Sequence, residues 1–202
     1  QENEAVKYLP LFRYELVLAV SRQSPLAASK WIEPDDIADQ TLITYPVERE
    51  RLDVFTAFLN PANAEPAAIR TAELTPMTAQ LVAAGRGVAA LPNWALTEYT
   101  EHDLLKTVRL GEKGVWRTLY AAVRGEDHHT PYMQEFWETA KELCFKTLSG
   151  VRAVKGSSFC KLAVNSLAFN RALNSRYFPN NNKKVNIHTD SKYTSPTCIN
   201  VA

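Results

Sequence analysis

The sequence predicts an α/β domain, built from short buried strands that alternate with helices. The first observation behind this is the apolar run at 16–20, which is typical of a strand covered on both faces. The second is a Thr-Pro pair at 75–76 and another at 130–131, because threonine followed by proline commonly starts a helix. The chain is 46% hydrophobic and 22% charged, which leaves enough apolar side chains for a core. The alternation indicates a largely parallel sheet.

The first half of the pattern contains two strands and two helices. Residues 14–20 form the first strand, which a Ser-Pro pair at 24–25 ends. Residues 33–38 start a short helix, with proline near its first position and acids in its first turn. A short apolar strand at 42–45 follows, and then apolar residues recur at helical spacing over 52–59, where Asn-Pro ends the helix.

The next elements repeat the alternation. A strand at 68–72 leads to a helix that runs to residue 84, with Thr75 as N-cap and Pro76 as first helical residue. A buried strand at 88–92 then leads to a helix over 93–99.

Two more strands, at 105–110 and 117–124, precede the last helix of the pattern. That helix follows the second Thr-Pro pair and is amphipathic. Its predicted apolar face consists of Met133, Phe136, Trp137, Ala140 and Leu143.

The composition changes near residue 150, where Ser, Asn and Lys become frequent, and this predicts a boundary at 149–156. The pattern allows a weak helix over 159–172 and shows no clear periodicity beyond it. Residues 184–193 resemble the YTDS.Y strand of retroelement-type ribonuclease H enzymes, in which the Asp is a metal ligand. Only one strand is covered, so Asp190 cannot complete a two-metal site. The tail is either a chance match or a foreign or frame-shifted extension.

Charge and composition bear on the partner and the compartment. The formal net charge is +1, so no overall field draws the chain to nucleic acid. The acidic start at 1–4 is unlike a secretory signal, and no apolar run approaches the ~20 residues of a membrane span. Cys144, Cys160 and Cys198 fit neither a C-x-x-C site nor a closed disulfide framework. We therefore expect reduced thiols, a cytoplasmic location and no membrane partner.

No pattern of residues predicts catalysis. The sequence has no G-x-S-x-G elbow, no P-loop and no paired His/Cys nucleophile arrangement. Asp127, His128 and His129 are residue types that bind zinc, but they lie in a polar loop without a second ligand group at a recognised spacing. We expect no enzyme activity, no metal and no cofactor.

Residues 9–147 resemble the effector domain of the LysR-type transcription regulators. The resemblance rests on LPLFRYELVLAV at 9–20, SPLA at 24–27, and Ile-Ala at 37–38 before LITYP at 42–46. The first segment is similar to the family's long strand that crosses between subdomains, and the second is similar to its HPLA turn.

Further segments are similar to the subfamily that controls methionine biosynthesis. They are YPV at 45–47 with RLDV at 51–54, the stretch QLVAAGRGVAALPNW at 80–94, and LYAAVR at 119–124. The resemblance implies homocysteine as the co-inducer.

The resemblance also implies the architecture, which is a type II periplasmic-binding-protein-like regulatory domain of two α/β subdomains with a ligand cleft between them. We expect one complete subdomain here, with part of the second. A winged helix-turn-helix, a linker helix and half a subdomain are expected before Gln1. The predicted division is 1–19 as a remnant and crossing strand of the first subdomain, 20–118 as the second α/β subdomain, 119–149 as the return strand and closing helix, and 150–202 as an atypical tail with a composition typical of poorly ordered chain.

The resemblance implies a small amino-acid effector, and DNA binding only through the expected helix-turn-helix. The parent protein is expected to be a homo-oligomer, either a dimer or a tetramer, and uncovered apolar faces predict self-association of this chain. Two other functions stay open: a solute-binding protein for an amino-acid-like ligand and, from the tail, a nuclease fragment.

In open α/β sheets, ligands lie beyond the carboxyl ends of strands, near helix N-termini. We expect the carboxylate of homocysteine at the helix start and its thiol end against apolar atoms. The predicted ligand-binding residues are Tyr45, Pro46, Val47, Thr75, Pro76, Met77, Leu91 and Pro92.

Simpler structural explanations exist for the same residues. Thr75 can be only an N-cap, and Tyr45 only a half-buried strand aromatic. Arg49 and Arg51 can hold an anion, but a charged pair at a helix start is usually solvated surface, so we rank them below Tyr45 and Thr75.

Overall fold

A computed structural model of the chain describes residues 6–154. The predicted helix at 159–172, the YTDS.Y resemblance with Asp190, and the predictions for Cys160 and Cys198 lie outside these residues. The described strands are β1 (Val6–Val20), β2 (Trp31–Ile32), β3 (Thr41–Thr44), β4 (Ala68–Thr71), β5 (Ala89–Pro92), β6 (Lys106–Leu110) and β7 (Val115–Arg124). The α-helices are α1 (Thr75–Ala83), α2 (Thr97–Glu101) and α3 (Pro131–Thr147).

Strand β1 is the centre of the sheet, and its 15 residues pair with three other strands. Its C-terminal part lies between β5 and β6, with Ala19 opposite Ala89 and Val20 opposite Lys106. Its N-terminal part pairs with β7, from Val6 onward. β1 therefore brings β7, near the C-terminal end of the described residues, into one sheet with β5 and β6.

The prediction of a largely parallel sheet is wrong for the pairs around β1. All three strands that pair with β1 run antiparallel to it. The parallel pairs are β2 with β6 and β3 with β4, and a parallel bridge from Leu42 to Val88 joins β3 to the start of β5. A buried apolar run has the same composition in either direction, so the run at 16–20 predicted burial and did not determine direction.

The two faces of β1 are buried in two separate apolar clusters. Leu16, Leu18 and Val20 pack in the first, with the aromatic residues of a helical turn at Phe55–Leu59. Val17 and Ala19, which alternate with them, pack in the second, with α1. Successive side chains of a strand point to opposite faces. The prediction of a strand covered on both faces is therefore confirmed.

The helix predicted at 52–59 has a different form. Phe55–Leu59 is a turn of π-helix, and Asn60–Ala62 continues it as a 3-10 turn, so the Asn-Pro pair does not end the helical path. The path ends at Asn63, whose φ of 53° is left-handed, a conformation that asparagine tolerates better than most residues. Pro34–Ile37 and Asn93–Leu96 are likewise 3-10 turns.

Helix α3 packs on the N-terminal part of β1. The indole Nε1 of Trp137 donates a hydrogen bond to the carbonyl oxygen of Pro10 at 3.2 Å. On the same predicted apolar face, however, Phe136 and Leu143 are 43% and 52% exposed. The face is therefore only partly covered by residues 6–154. Cys144 of α3 is a free thiol, and burial raises its pKa.

None of the helices within 6–154 is both long enough and apolar enough to cross a bilayer.

A close backbone approach joins β3 to β5. Gly87 has a φ of +150°, and a Cβ built there meets the carbonyl oxygen of Thr41. That oxygen accepts a hydrogen bond from the N–H of Val88 at 2.9 Å, and Ile43 donates to Val88 at 2.8 Å. Gly85, two residues earlier, has a φ of +68° with open space around the position of a Cβ.

We expect Gly87→Ala to lower the free energy of unfolding by about 3 kcal/mol, because the added methyl group separates β3 from β5. The matched control is Gly85→Ala, which introduces left-handed strain alone and is expected to cost about 1 kcal/mol. Urea unfolding followed by tryptophan fluorescence measures both values. Equal losses in the two variants would show that the close approach adds no constraint.

Candidate functional site

Three strand ends meet at one edge of the fold. β3 and β4 are parallel neighbours, and β3 is bridged in parallel to the start of β5. Their carboxyl ends therefore lie side by side, and α1 begins just beyond β4. This is the edge at which open α/β sheets bind ligands.

A hydrogen bond between two side chains joins the predicted residues at this edge. The hydroxyl of Tyr45, which follows β3, lies 2.7 Å from the hydroxyl of Thr75, which begins α1. Both side chains are partly buried, and either oxygen can be the donor. Two residues 30 positions apart thus form one polar pair.

The prediction that Thr75 is the N-cap is wrong by one residue. Leu74, with extended backbone at φ −119° and ψ 135°, is the N-cap, and Thr75 and Pro76 are the first and second helical residues. The Thr75 hydroxyl bonds to Tyr45 and so does not cap the helix.

No side chain caps the start of α1. The first backbone bond of the helix runs from the N–H of Thr78 to the carbonyl oxygen of Leu74 at 3.0 Å, and Pro76 has no N–H. The backbone N–H groups of Thr75 and Met77 have no acceptor within the helix, because no helical carbonyl lies four residues before them. With the positive end of the helix dipole, they form an environment that favours an anion.

Beside this helix start lies a small apolar cavity of about 20 Å³, which is room for one water molecule. Its walls come from β3, β5, α1 and the segment after β3. The lining residues are Ile43, Thr44, Tyr45, Leu52, Val54, Thr78, Ala90 and Leu91. Of the predicted site residues, Tyr45 and Leu91 therefore line one cavity.

Five of the other predicted residues are not part of the cavity lining. Val47 and Met77 are 43% and 56% exposed, and Pro46 and Pro76 are exposed as well. Pro92 is paired with Leu16 in the sheet. These five residues do not line the cavity.

Sequence reasoning missed two hydroxyl residues at this edge. Thr78 is buried and donates its hydroxyl hydrogen to the carbonyl oxygen of Leu74 at 3.2 Å. Partial burial raises the pKa of Tyr99, and the nearby Glu98 and Tyr45 raise it further. Tyr99 therefore stays a neutral phenol near Tyr45. The signal for Thr78 was its spacing, one helical turn after Thr75; only the fold brings Tyr99 near.

An ion pair anchors one wall of the cavity to β7. The Nε of Arg117 donates to a carboxylate oxygen of Asp53 at 2.8 Å, and Asp53 lies between two lining residues, Leu52 and Val54. Tyr14 stands opposite Arg117 in the sheet. Burial raises the pKa of Tyr14, the charge of Asp53 raises it further, and Arg117 opposes them. The ion pair joins residues 64 positions apart, which local sequence patterns do not reveal.

The lower-ranked arginines have acidic partners. Arg49 bonds to Glu65 at 2.6 Å, and its guanidinium lies 4.2 Å from the centre of the Phe55 ring. Arg51 lies 3.6 Å from Glu48, whose pKa is lowered by its own backbone N–H and by Arg51.

The Asp127-His128-His129 loop forms a ring contact. The imidazoles of His128 and His129 lie edge to face, with centroids 4.5 Å apart. Over residues 6–154, no group of three or more His, Cys, Asp or Glu side chains has an arrangement that could hold a metal ion.

Known proteins resemble this chain in sequence and in fold. Residues 1–145 match the family model described as the LysR substrate binding domain. The HTH-type transcriptional regulator MetR of Escherichia coli K12 is 38% identical over 157 residues, which cover 78% of this chain and 49% of that protein. MetR of Haemophilus influenzae is 37% identical over 151 residues, 75% of this chain and 48% of that protein.

A solved structure extends the similarity to the fold. The regulatory domain of MetR, a LysR family regulator from N. meningitidis, superposes with a TM-score of 0.71 at 36% identity, covering 77% of this chain and 71% of that one. The chain spans about half the length of the curated relatives it matches.

These comparisons confirm three predictions. The fold is the periplasmic-binding-protein-like α/β fold of these regulatory domains. The chain is similar to MetR, as its segments predicted. Its relatives are transcription regulators and not enzymes, as predicted. The chain belongs to the LysR substrate-binding domain family.

Proposed function

We propose that this chain is the ligand-sensing part of a cytoplasmic regulator of methionine biosynthesis genes, with homocysteine as co-inducer. The observation that carries the proposal is the hydroxyl pair of Tyr45 and Thr75 at an uncapped helix start. DNA binding belongs to a winged helix-turn-helix outside this chain, in a dimer or tetramer.

The recognition we propose divides the ligand between two environments. The carboxylate of homocysteine accepts hydrogen bonds from the first N–H groups of α1 and from the hydroxyl of Thr75 or Tyr45. The thiol end turns toward the apolar walls, which Leu91 and Val54 help to form.

This division also discriminates against methionine. A thiol can enter the space of one water molecule and donate its S–H, whereas a thioether carries an extra methyl group and has no proton to donate.

The Arg117–Asp53 ion pair offers a physical route from ligand to DNA. It ties the segment that lines the cavity to β7, one of the two strands that the family resemblance places between subdomains. A ligand that binds one arrangement of the subdomains better than another shifts their equilibrium, and with it the spacing of the DNA-binding heads.

Solute carriage by a binding protein is the competing function, because that class shares the two-lobed fold. The relatives named as HTH-type transcriptional regulators favour the sensor.

We expect calorimetric titration with homocysteine to give saturable binding, and methionine to bind about tenfold more weakly because of the added methyl group. Cooperative urea unfolding of the same sample serves as the control for a folded chain. Equal affinities for the two ligands, or no binding by a folded chain, would contradict the proposal.

Thr75→Val keeps the shape of the side chain and removes its hydroxyl. We expect homocysteine to bind about tenfold more weakly, the value of one hydrogen bond to a charged group. The control is Thr107→Val, an exposed threonine of β6, for which calorimetry should give unchanged affinity. If both variants bind like the unchanged chain, the Thr75 hydroxyl does not contact the ligand.

A further inference from the structure

Two arginines share one tryptophan ring away from the site described above. The guanidinium carbons of Arg13 and Arg152 lie 5.7 Å and 3.9 Å from the centre of the Trp116 ring. Arg13 is in the N-terminal part of β1, Trp116 is in β7, and Arg152 follows α3. Each cation is attracted to the face of the indole, yet the two repel each other.

The fold holds Arg152 in this position. Its backbone pairs with that of Arg13 as an isolated antiparallel bridge, with hydrogen bonds of 2.7 Å and 2.8 Å. Just before it, the carbonyl oxygen of Gly150 accepts a hydrogen bond from the side-chain amide of Asn93 at 3.0 Å. Gly150 has a φ of +73°, and a Cβ there meets that same amide. The pair of cations is thus preorganised by backbone contacts.

The carboxylate of the residue opposite Trp116 in the sheet is already engaged. Glu15 stands opposite Trp116 in the sheet, and its carboxylate accepts a hydrogen bond from the Nε of Arg109 at 2.7 Å. Within residues 6–154, neither Arg13 nor Arg152 forms an ion pair with an acid. Arg109 is therefore paired with Glu15, whereas the two guanidinium groups on Trp116 have no acidic partner among residues 6–154.

We propose that Arg13 and Arg152, set on Trp116, form a binding site for a tetrahedral dianion of the phosphate class. A dianion neutralises both cations at once, whereas a monocarboxylate neutralises only one. Guanidinium groups also bind phosphate oxygens through two parallel N–H bonds. The site shares no residue with the Tyr45–Thr75 pair and does not depend on the proposed co-inducer.

Occupation of this site has a structural consequence. An anion bound by both arginines ties the segment after α3 to β1 and β7, in addition to the two backbone hydrogen bonds of the bridge. The site takes either the free ion or the phosphoryl group of a small phosphomonoester, since the two present the same oxygens.

The test is titration of the ¹⁵N-labelled chain with potassium phosphate, with ionic strength held constant by chloride. We expect saturable shifts of the Trp116 indole N–H and of the Arg13 and Arg152 Nε–H signals. Parallel titrations with phenyl phosphate and sodium acetate distinguish the phosphomonoester from the free ion and the dianion from a monoanion. Binding of phosphate, phenyl phosphate or both, with no saturation by acetate, supports the site.

The deciding variant is Arg152→Gln, which replaces an exposed side chain and keeps the backbone bridge. We expect phosphate to bind at least about tenfold more weakly to it. Arg70→Gln, an exposed arginine of β4, is the matched control and should bind as the unchanged chain does. Linear shifts spread over many basic side chains, equal saturation by acetate, or unchanged affinity in Arg152→Gln would overturn the site.

Discussion

Burial of β1 on both faces is the constraint on which the rest of the described fold depends. The residues from Glu15 to Val20 are all buried, and alternate side chains enter different clusters. β5, β6 and β7 pair directly with β1, and β2 pairs with β6. β1 therefore sets the position of every other described strand of the main sheet. β3 reaches the sheet through β5, so the edge that carries Tyr45 and Thr75 is positioned indirectly by β1.

Glu15 is the one charged residue of the fully buried stretch of β1, and its neighbours accommodate it. Glu15 is only 8% exposed, and its carboxylate accepts a hydrogen bond from the Nε of Arg109. Gly114 lies so close that a Cβ there would meet the carboxylate oxygen. A buried carboxylate without a partner is costly, so Arg109 is committed to Glu15. Glu15 therefore pairs with Arg109, and Arg13 and Arg152 have no acidic partner among residues 6–154.

Local sequence patterns located the elements but not their partners. Apolar runs placed strands β3 to β7 within two residues of their observed bounds, because burial is a local property. The predicted N-cap of α1 was wrong by one residue. The Thr75 hydroxyl forms a hydrogen bond with Tyr45, which is distant in sequence, and so does not cap the helix. The direction of β1 and the Asp53–Arg117 pair depend on register between distant segments. No spacing rule within one segment encodes such register.

The start of α1 has no side-chain cap, which lowers the stability of the helix but leaves its first N–H groups available to a ligand. Its N-cap is Leu74, which is 65% exposed and cannot accept a hydrogen bond through its side chain. Serine or aspartate at such a position stabilises a helix by about 1 kcal/mol, because its oxygen occupies the free N–H groups. Threonine is available one residue later, yet its hydroxyl is turned to Tyr45. A side-chain cap would compete with a carboxylate for the same donors, whereas an apolar N-cap leaves them to the ligand. The proposed sensing role thus accounts for a feature that helix stability alone does not favour.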